Sequence, residues 1–231
     1  MKLPTGKYRI CVNCAQNGRR QRFSVCHEVA HVALEITADH SAPSWSFARR
    51  PPGEIACDVF AAELLLPYKL FKPRVDASDM GLKGIGELAN EFDASLVSTA
   101  SRFATFSREL CGFVLSEGGK VRYCARSTSL RDARAWVKAG TMLPTDSLSA
   151  RLRAGAAPTS PEEAEPDQWF EDWDRDGSLY EDAHQGAMPV NSVIWQTETL
   201  PSIAVIGTDF ATGRAGKAKR NQCPSSFRVQ V

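Results

Sequence analysis

The 231-residue chain contains no apolar run approaching the roughly 18 residues needed to cross a bilayer. Nor does an apolar segment of the secretory kind follow Met1-Lys2-Leu3-Pro4, so the expected compartment is the cytoplasm, with no membrane partner. Charge of either sign is not in excess: 28 Lys and Arg face 27 Asp and Glu, a net of +1. That balance argues against a globally basic nucleic-acid binder, though not against a local patch. Cysteine is too sparse for a disulfide framework, since the seven residues are odd in number and irregularly spaced, which agrees with a reducing compartment. Cys11-Val12-Asn13-Cys14 is the one C-x-x-C, and a zinc ribbon would require a second pair that the sequence does not have. It reads as incidental, beside a short strand over Tyr8 to Val12. There is no internal repeat. The 43% hydrophobic content is sufficient to bury a core of one domain plus appendages.

Histidine is also scarce, with four in the chain, yet two of them fall in Arg22-Phe23-Ser24-Val25-Cys26-His27-Glu28-Val29-Ala30-His31. At 3.6 residues per turn, His27 and His31 lie on one helix face, close enough to share one ion. Glu28 is too far round the helix to ligate from that face, but it is placed to reach a water on the metal, the general-base position of an H-E-x-x-H zinc hydrolase. The structural alternative is a buried helix with two satisfied histidines.

A catalytic zinc normally takes three protein ligands and keeps one position open. Beyond Pro51-Pro52-Gly53, the segment from Glu54 to Leu66 reads as a helix ended by Pro67. Ile55, Val59, Ala62 and Leu66 mark its expected buried stripe. Glu54 and Asp58, four apart, share another face that can look toward the histidines, Glu54 as ligand and Asp58 orienting an imidazole. An acidic residue in a first turn also complements the helix dipole, so for Glu54 both readings stand on this pattern alone.

The two blocks R-F-S-V-C-H-E-V-A-H and E-I-A-C-D-V-F-A-A-E-L-L-L-P closely resemble the signature motifs of the ImmA/IrrE metallo-endopeptidases, R-F-T-x-A-H-E-x-x-H and E-x-x-A/C-N-x-F-A-x-x-L-L-M-P. The resemblance implies that His27, His31 and Glu54 are zinc ligands and Glu28 the catalytic base. Arg22, Phe23, Phe60, Ala61, Leu64, Leu65 and Pro67 match as well. Ser24, Cys26, Asp58 and Leu66 depart from the usual Thr, Ala, Asn and Met, and none of the four removes a ligand. Cys26 is a thiol next to a ligand, open to oxidation or to competition for metal. The likeness is strong over residues 21–67, fair to the hairpin near residue 126 and faint afterwards, and the segment ahead of it is shorter than the family usually carries. It implies a bacterial intracellular protease whose protein substrate is a regulator such as a helix-turn-helix repressor. Two imidazoles and a carboxylate suit Zn2+ and also Mn2+.

Residues 37–52 read as a loop that could border the cleft; His40 is a reserve ligand or oxyanion group there, with a plain surface histidine the favoured reading, and Tyr68, past Pro67, has similar standing. From Leu82 to Phe106 two short helices flank Asp93-Ala94-Ser95, an arrangement with the outline of a helix-turn-helix. Arg102 and Arg108 are the only cations on its second helix, few for phosphate contacts, so packing within the peptidase body is the favoured role. Strands over residues 112–116 and 120–124 flank Glu117-Gly118-Gly119 as a hairpin. Trp169, Phe170 and Trp173 sit among acidic residues, and residues 190–195 and 202–207 read as strands. Arg214, Lys217, Lys219 and Arg220 mark a basic tail.

The expected class is α+β: a helical zinc-peptidase core with a small antiparallel sheet over 1–110, including the helix pair at 82–106. A hairpin and helix extension follows over 111–153, a linker over 154–168, a smaller C-terminal α/β segment over 169–210, and a flexible tail over 211–231. The competing function is a non-catalytic DNA-binding regulator or adaptor with a structural metal.

Overall fold

The computed structural model describes residues 6–39, 51–157, 161–170, 173, 177–185 and 190–197. His40, the 202–207 strand and the 211–231 tail of the sequence reading lie outside them. The N-terminal half is helical, with α1 (Gly18–Ala33), α2 (Pro52–Leu65), α3 (Tyr68–Ala77), α4 (Leu82–Glu91) and α5 (Leu96–Phe106). Each start and stop has a local cause. Asn17 caps α1 by accepting from the Arg20 amide at 2.9 Å. Pro51 and Pro52 open α2, where a missing N–H costs nothing. Ser95 caps α5 through the Ser98 amide.

The end of α1 bears directly on the site. Glu35 takes the left-handed conformation (φ 54°), and Ile36 N–H then bonds back to His31 O at 3.1 Å while Glu35 N–H reaches Val32 O at 3.4 Å. This is a Schellman reversal formed without glycine. It folds the chain back over the last turn of the helix.

The turn between α4 and α5 is pinned to α1. Asp93, also left-handed (φ 47°), accepts from Arg19 at 3.0 Å and from Arg22 at 2.5 Å. The motif arginine Arg22 thus serves as a strut between helices. No residue of α5 is exposed, because the helix lies against α3, α4 and the sheet.

The second half begins with the hairpin β1 (Leu110–Glu117) and β2 (Lys120–Arg126), whose turn places Gly118 (φ 62°) and Gly119 (φ 78°) in the left-handed region that a tight hairpin demands. Then come α6 (Thr128–Asp132), α7 (Leu148–Arg153), β3 (Glu162–Ala164), α8 (Pro166–Trp169), β4 (Ser178–Gln185) and β5 (Val190–Thr197). The strands form one antiparallel sheet in the order β2-β1-β5-β4-β3, with Phe113 opposite both Ala125 and Val193. The protein is therefore α+β. Residues 8–12 form no strand, Tyr8 making only a single bridge.

Both faces of the sheet are buried, and the period-2 alternation sorts its side chains. Cys111, Phe113, Val193 and Trp195 join Leu66, Phe71, Ile85, Leu88, Ala100 and Phe103 of the helical layer. Val114, Val121, Leu179 and Ile194 face the other way, onto Leu130, Val137, Leu143, Trp169 and Phe170. Neighbouring acids on β4 anchor the two layers. Asp182 accepts from the Leu82 amide at the start of α4 at 2.7 Å, and Glu181, on the opposite face, accepts from the Leu148 and Ser149 amides at the start of α7 at 2.9 Å each.

Candidate metal centre

The helix α2 meets α1 through its acidic face. Glu54, Cys57, Asp58, Ala61 and Leu65 form the buried stripe, while Val59, which apolar periodicity alone would bury, is 58% exposed. The buried face is set by chemistry rather than by hydrophobicity: two carboxylates tolerate burial because two imidazoles face them.

The resulting group is tight. His27 Nε2 lies 3.1 Å from His31 Nε2 and 3.1 Å from Glu54 Oε2, and His31 Nε2 lies 3.3 Å from Glu54 Oε1. Donors on a tetrahedral zinc, with bonds of about 2.0–2.1 Å, sit about 3.3 Å apart, and the two imidazole nitrogens lie near that spacing from each other and each from one of the Glu54 oxygens. His27, His31 and Glu54 constitute a group able to hold a metal ion, and all three are buried.

The outer nitrogens define the polarity of this group. His27 Nδ1 donates to Asp58 Oδ1 at 2.8 Å, and His31 Nδ1 donates to Ile36 O at 3.1 Å. In these neutral tautomers both Nε2 atoms present lone pairs to each other and to the Glu54 carboxylate, an arrangement that a cation at their centre satisfies. Burial by itself would lower the His27 pKa; the Asp58 hydrogen bond and the charges of Asp58, Glu54 and Glu28 outweigh it and raise the value above that of an ordinary imidazole. Burial raises the Cys26 thiol pKa, with Arg22 opposing.

Glu28 is half-buried on α1, one residue after His27. Asp58 is 8% exposed and bonded to His27. The Tyr68 ring packs edge-on to Phe106 at 5.0 Å and its amide bonds to Glu63. Two contacts escaped sequence reasoning, the Ile36 carbonyl on His31 and the Asp39 amide on Glu54 Oε1 at 2.7 Å. Both are main-chain groups, which no residue letter reveals. The sole advance signal is the short spacing from His31 to the end of its helix.

Residues 2–104 match the IrrE N-terminal-like domain, a peptidase family. No curated protein matches the sequence. Among solved structures, a Mycobacterium tuberculosis transcriptional regulator aligns at 16% identity and a TM-score of 0.48, over 80% of this chain and 58% of its own length. The chain thus spans less than two thirds of that protein, and a likeness of this size carries no argument about role. The family match, by contrast, covers both helices that bring the imidazoles and the carboxylate together, and residues 2–104 form a metallopeptidase-like domain of the IrrE N-terminal-like kind.

Proposed function

We propose that the protein is a zinc-dependent endopeptidase of the cytoplasm that cuts a regulatory protein, such as a helix-turn-helix repressor, at a specific site. The observation that carries this reading is the mutual 3.1–3.3 Å spacing of His27 Nε2, His31 Nε2 and the Glu54 oxygens. His27, His31 and Glu54 would hold the metal, which when bound would supply Lewis acidity to a peptide carbonyl and to a water. Glu28 is the general base for the attacking water and the acid for the leaving amine. Asp58 fixes the tautomer and ring orientation of His27, and Ile36 does the same for His31. Mn2+ is the second metal that this donor set accommodates.

The free state of Cys11, Cys14, Cys26, Cys57, Cys111 and Cys124 fits a reducing compartment, and no helix among the described residues is long and apolar enough to cross a membrane. The burial of α5 supports a peptidase body over a DNA reader, because a helix laid in a groove must present an exposed face.

The test combines metal analysis with cleavage of repressors encoded beside the protein. About one zinc per chain is expected, retained in Glu28→Gln and lost in His31→Ala, with cleavage abolished in both. A Glu28→Gln variant that cleaves at the wild-type rate would sink the mechanism.

A further inference from the structure

Among the described residues beyond position 70, the large apolar side chains that stand exposed are Trp136 (59%) and Met142 (63%). Both lie on the loop between α6 and α7, on the side of the sheet away from α1 and α2. The loop is fastened at several points. Val137 and Leu143 sink into the second core, and residues 140–143 run along the outer edge of β2. There Gly140 N–H donates to Val121 O at 2.8 Å, Val121 N–H to Thr141 O at 2.9 Å and Leu143 N–H to Gly119 O at 2.9 Å. Arg126 holds the exposed ring: it donates to Ala135 O at 2.8 Å, and its guanidinium lies over the Trp136 indole at 3.5 Å. An aromatic side chain fixed in the open in this way has little freedom left to lose on meeting a partner.

Trp136, Lys138 and Met142 line one groove with Asp167, Gln168 and Trp169 of α8. Its volume of about 160 Å³ is below the roughly 300–1,000 Å³ of small-molecule sites, and matches a single large side chain better than a cofactor. The charge around it is one-sided. Residues 118–155 carry eight Lys and Arg against two Asp, whereas the rest of the chain carries 20 against 25 acids. Burial and the like charge of Arg131 lower the Arg126 pKa, with Cys124 opposing, so an anion beside this pair is favoured. The α8 bank, in contrast, presents the Asp167 carboxylate, which a continuous polyanion such as a nucleic-acid strand would have to pass.

We propose that this groove docks an acidic segment of a protein partner, seating one large apolar side chain against Trp136 and Met142 and laying carboxylates along the Lys138 and Arg126 bank. Trp, Met and Arg are the residue types enriched where partner proteins are gripped. The surface is separate from the metal centre, and the proposal stands independently of the peptidase reading.

The experiment selects a library of random peptides on the full-length protein, with Trp136→Ala as the counter-selection, and measures the most enriched peptide by fluorescence anisotropy. The enriched sequences are expected to combine Asp and Glu with one Leu, Phe or Trp. Affinity should fall about tenfold in Trp136→Ala and about tenfold in Lys138→Glu, the second loss shrinking as salt is raised. Both side chains are exposed, and an unchanged melting temperature verifies that each variant is folded; Met142→Ala replaces Trp136→Ala if that variant is not. The proposal is overturned if no enriched peptide depends on Trp136, if the enriched peptides are neutral or basic, or if wild type and variants bind alike. An oligothymidine strand that binds more tightly than the peptide and displaces it overturns it in favour of nucleic acid.

Discussion

At the scale of single residues, the site was legible where side chains carry the chemistry. His27 and His31 follow from a spacing of four, and Glu54 from its place in the second motif. Asp58 was legible as a partner for an imidazole, and the structure supplies the bond to His27 at 2.8 Å. That bond has a measurable consequence. A metal needs the neutral form of His27, whereas the Asp58 hydrogen bond and the neighbouring carboxylates shift its pKa upward. The folded pKa is raised, so the stabilisation from the His27 ion pairs is complete below the ordinary imidazole pKa and fades as pH climbs through the raised value. Zinc affinity runs in the opposite sense. It is expected to strengthen about tenfold per pH unit, per proton displaced, up to the raised His27 pKa and then level off. Isothermal titration of zinc into wild type and Asp58→Ala from pH 6 to pH 8 checks this: the variant should bind about 10–100-fold more weakly, with its plateau reached at lower pH. Identical profiles for the two proteins would remove Asp58 from the account.

Secondary elements were read less evenly, and the misreadings share a cause. Apolar periodicity placed Ile55, Val59, Ala62 and Leu66 on the buried side of α2; Leu66 is buried, but Val59 is exposed and the side against α1 carries Glu54 and Asp58. Periodicity assumes that acids face water, an assumption that fails wherever a buried partner awaits them. The strand β4 eluded the reading for the same reason, because its Glu181-Asp182 pair resembles loop composition while in fact each carboxylate holds the start of a helix. Residues 162–164, within the stretch read as a linker, pair with β4 as an edge strand. The hairpin at Gly118-Gly119, by contrast, was readable because its turn chemistry is local.

Two element-level predictions follow from close packing. A Cβ on Gly53 would stand 2.7 Å from Ile36 Cγ2, against a β-branched side chain whose backbone is itself tied to His31. Gly53→Ala is expected to cost about 1–3 kcal/mol in urea unfolding and to weaken zinc binding, since relief must move α2 away from the 35–39 segment. Unchanged stability and metal affinity would mean that this junction is loose. Burial raises the Glu181 pKa, with the Ser149 and Leu148 donors opposing. Wild-type stability from this group is therefore full below the ordinary carboxylate pKa and declines as pH rises through the raised value. Glu181→Gln lacks that decline, so its melting temperature relative to wild type should improve steadily with pH; a constant difference would count against the raised pKa.

Viewed as a whole, the chain has a main core that crosses the boundary of its family match. Leu66, Phe71, Phe103 and Ala104 are packed with Cys111, Phe113, Val193 and Trp195 in one buried cluster. Such long-range closure is not written in any local pattern, which explains why the sequence separated pieces that the fold joins. A chain ending at residue 109 uncovers this face and is expected to be insoluble, or expanded without fixed side-chain packing by near-ultraviolet circular dichroism. A soluble fragment that unfolds cooperatively and binds zinc with full affinity would show that the helical layer stands by itself.

The placement of β5 bears on how the molecule is made. It is the last described strand, yet it occupies the centre of the sheet, hydrogen-bonded to β1 on one side and to β4 on the other. While the ribosome is still extending the chain, the inner edge of β1 remains open and the apolar roof over α5 is missing. The centre of the sheet cannot close until residues 190–197 have left the exit tunnel. Until β5 pairs, the helical layer that carries His27, His31 and Glu54 stands without the Val193 and Trp195 side chains that complete its core.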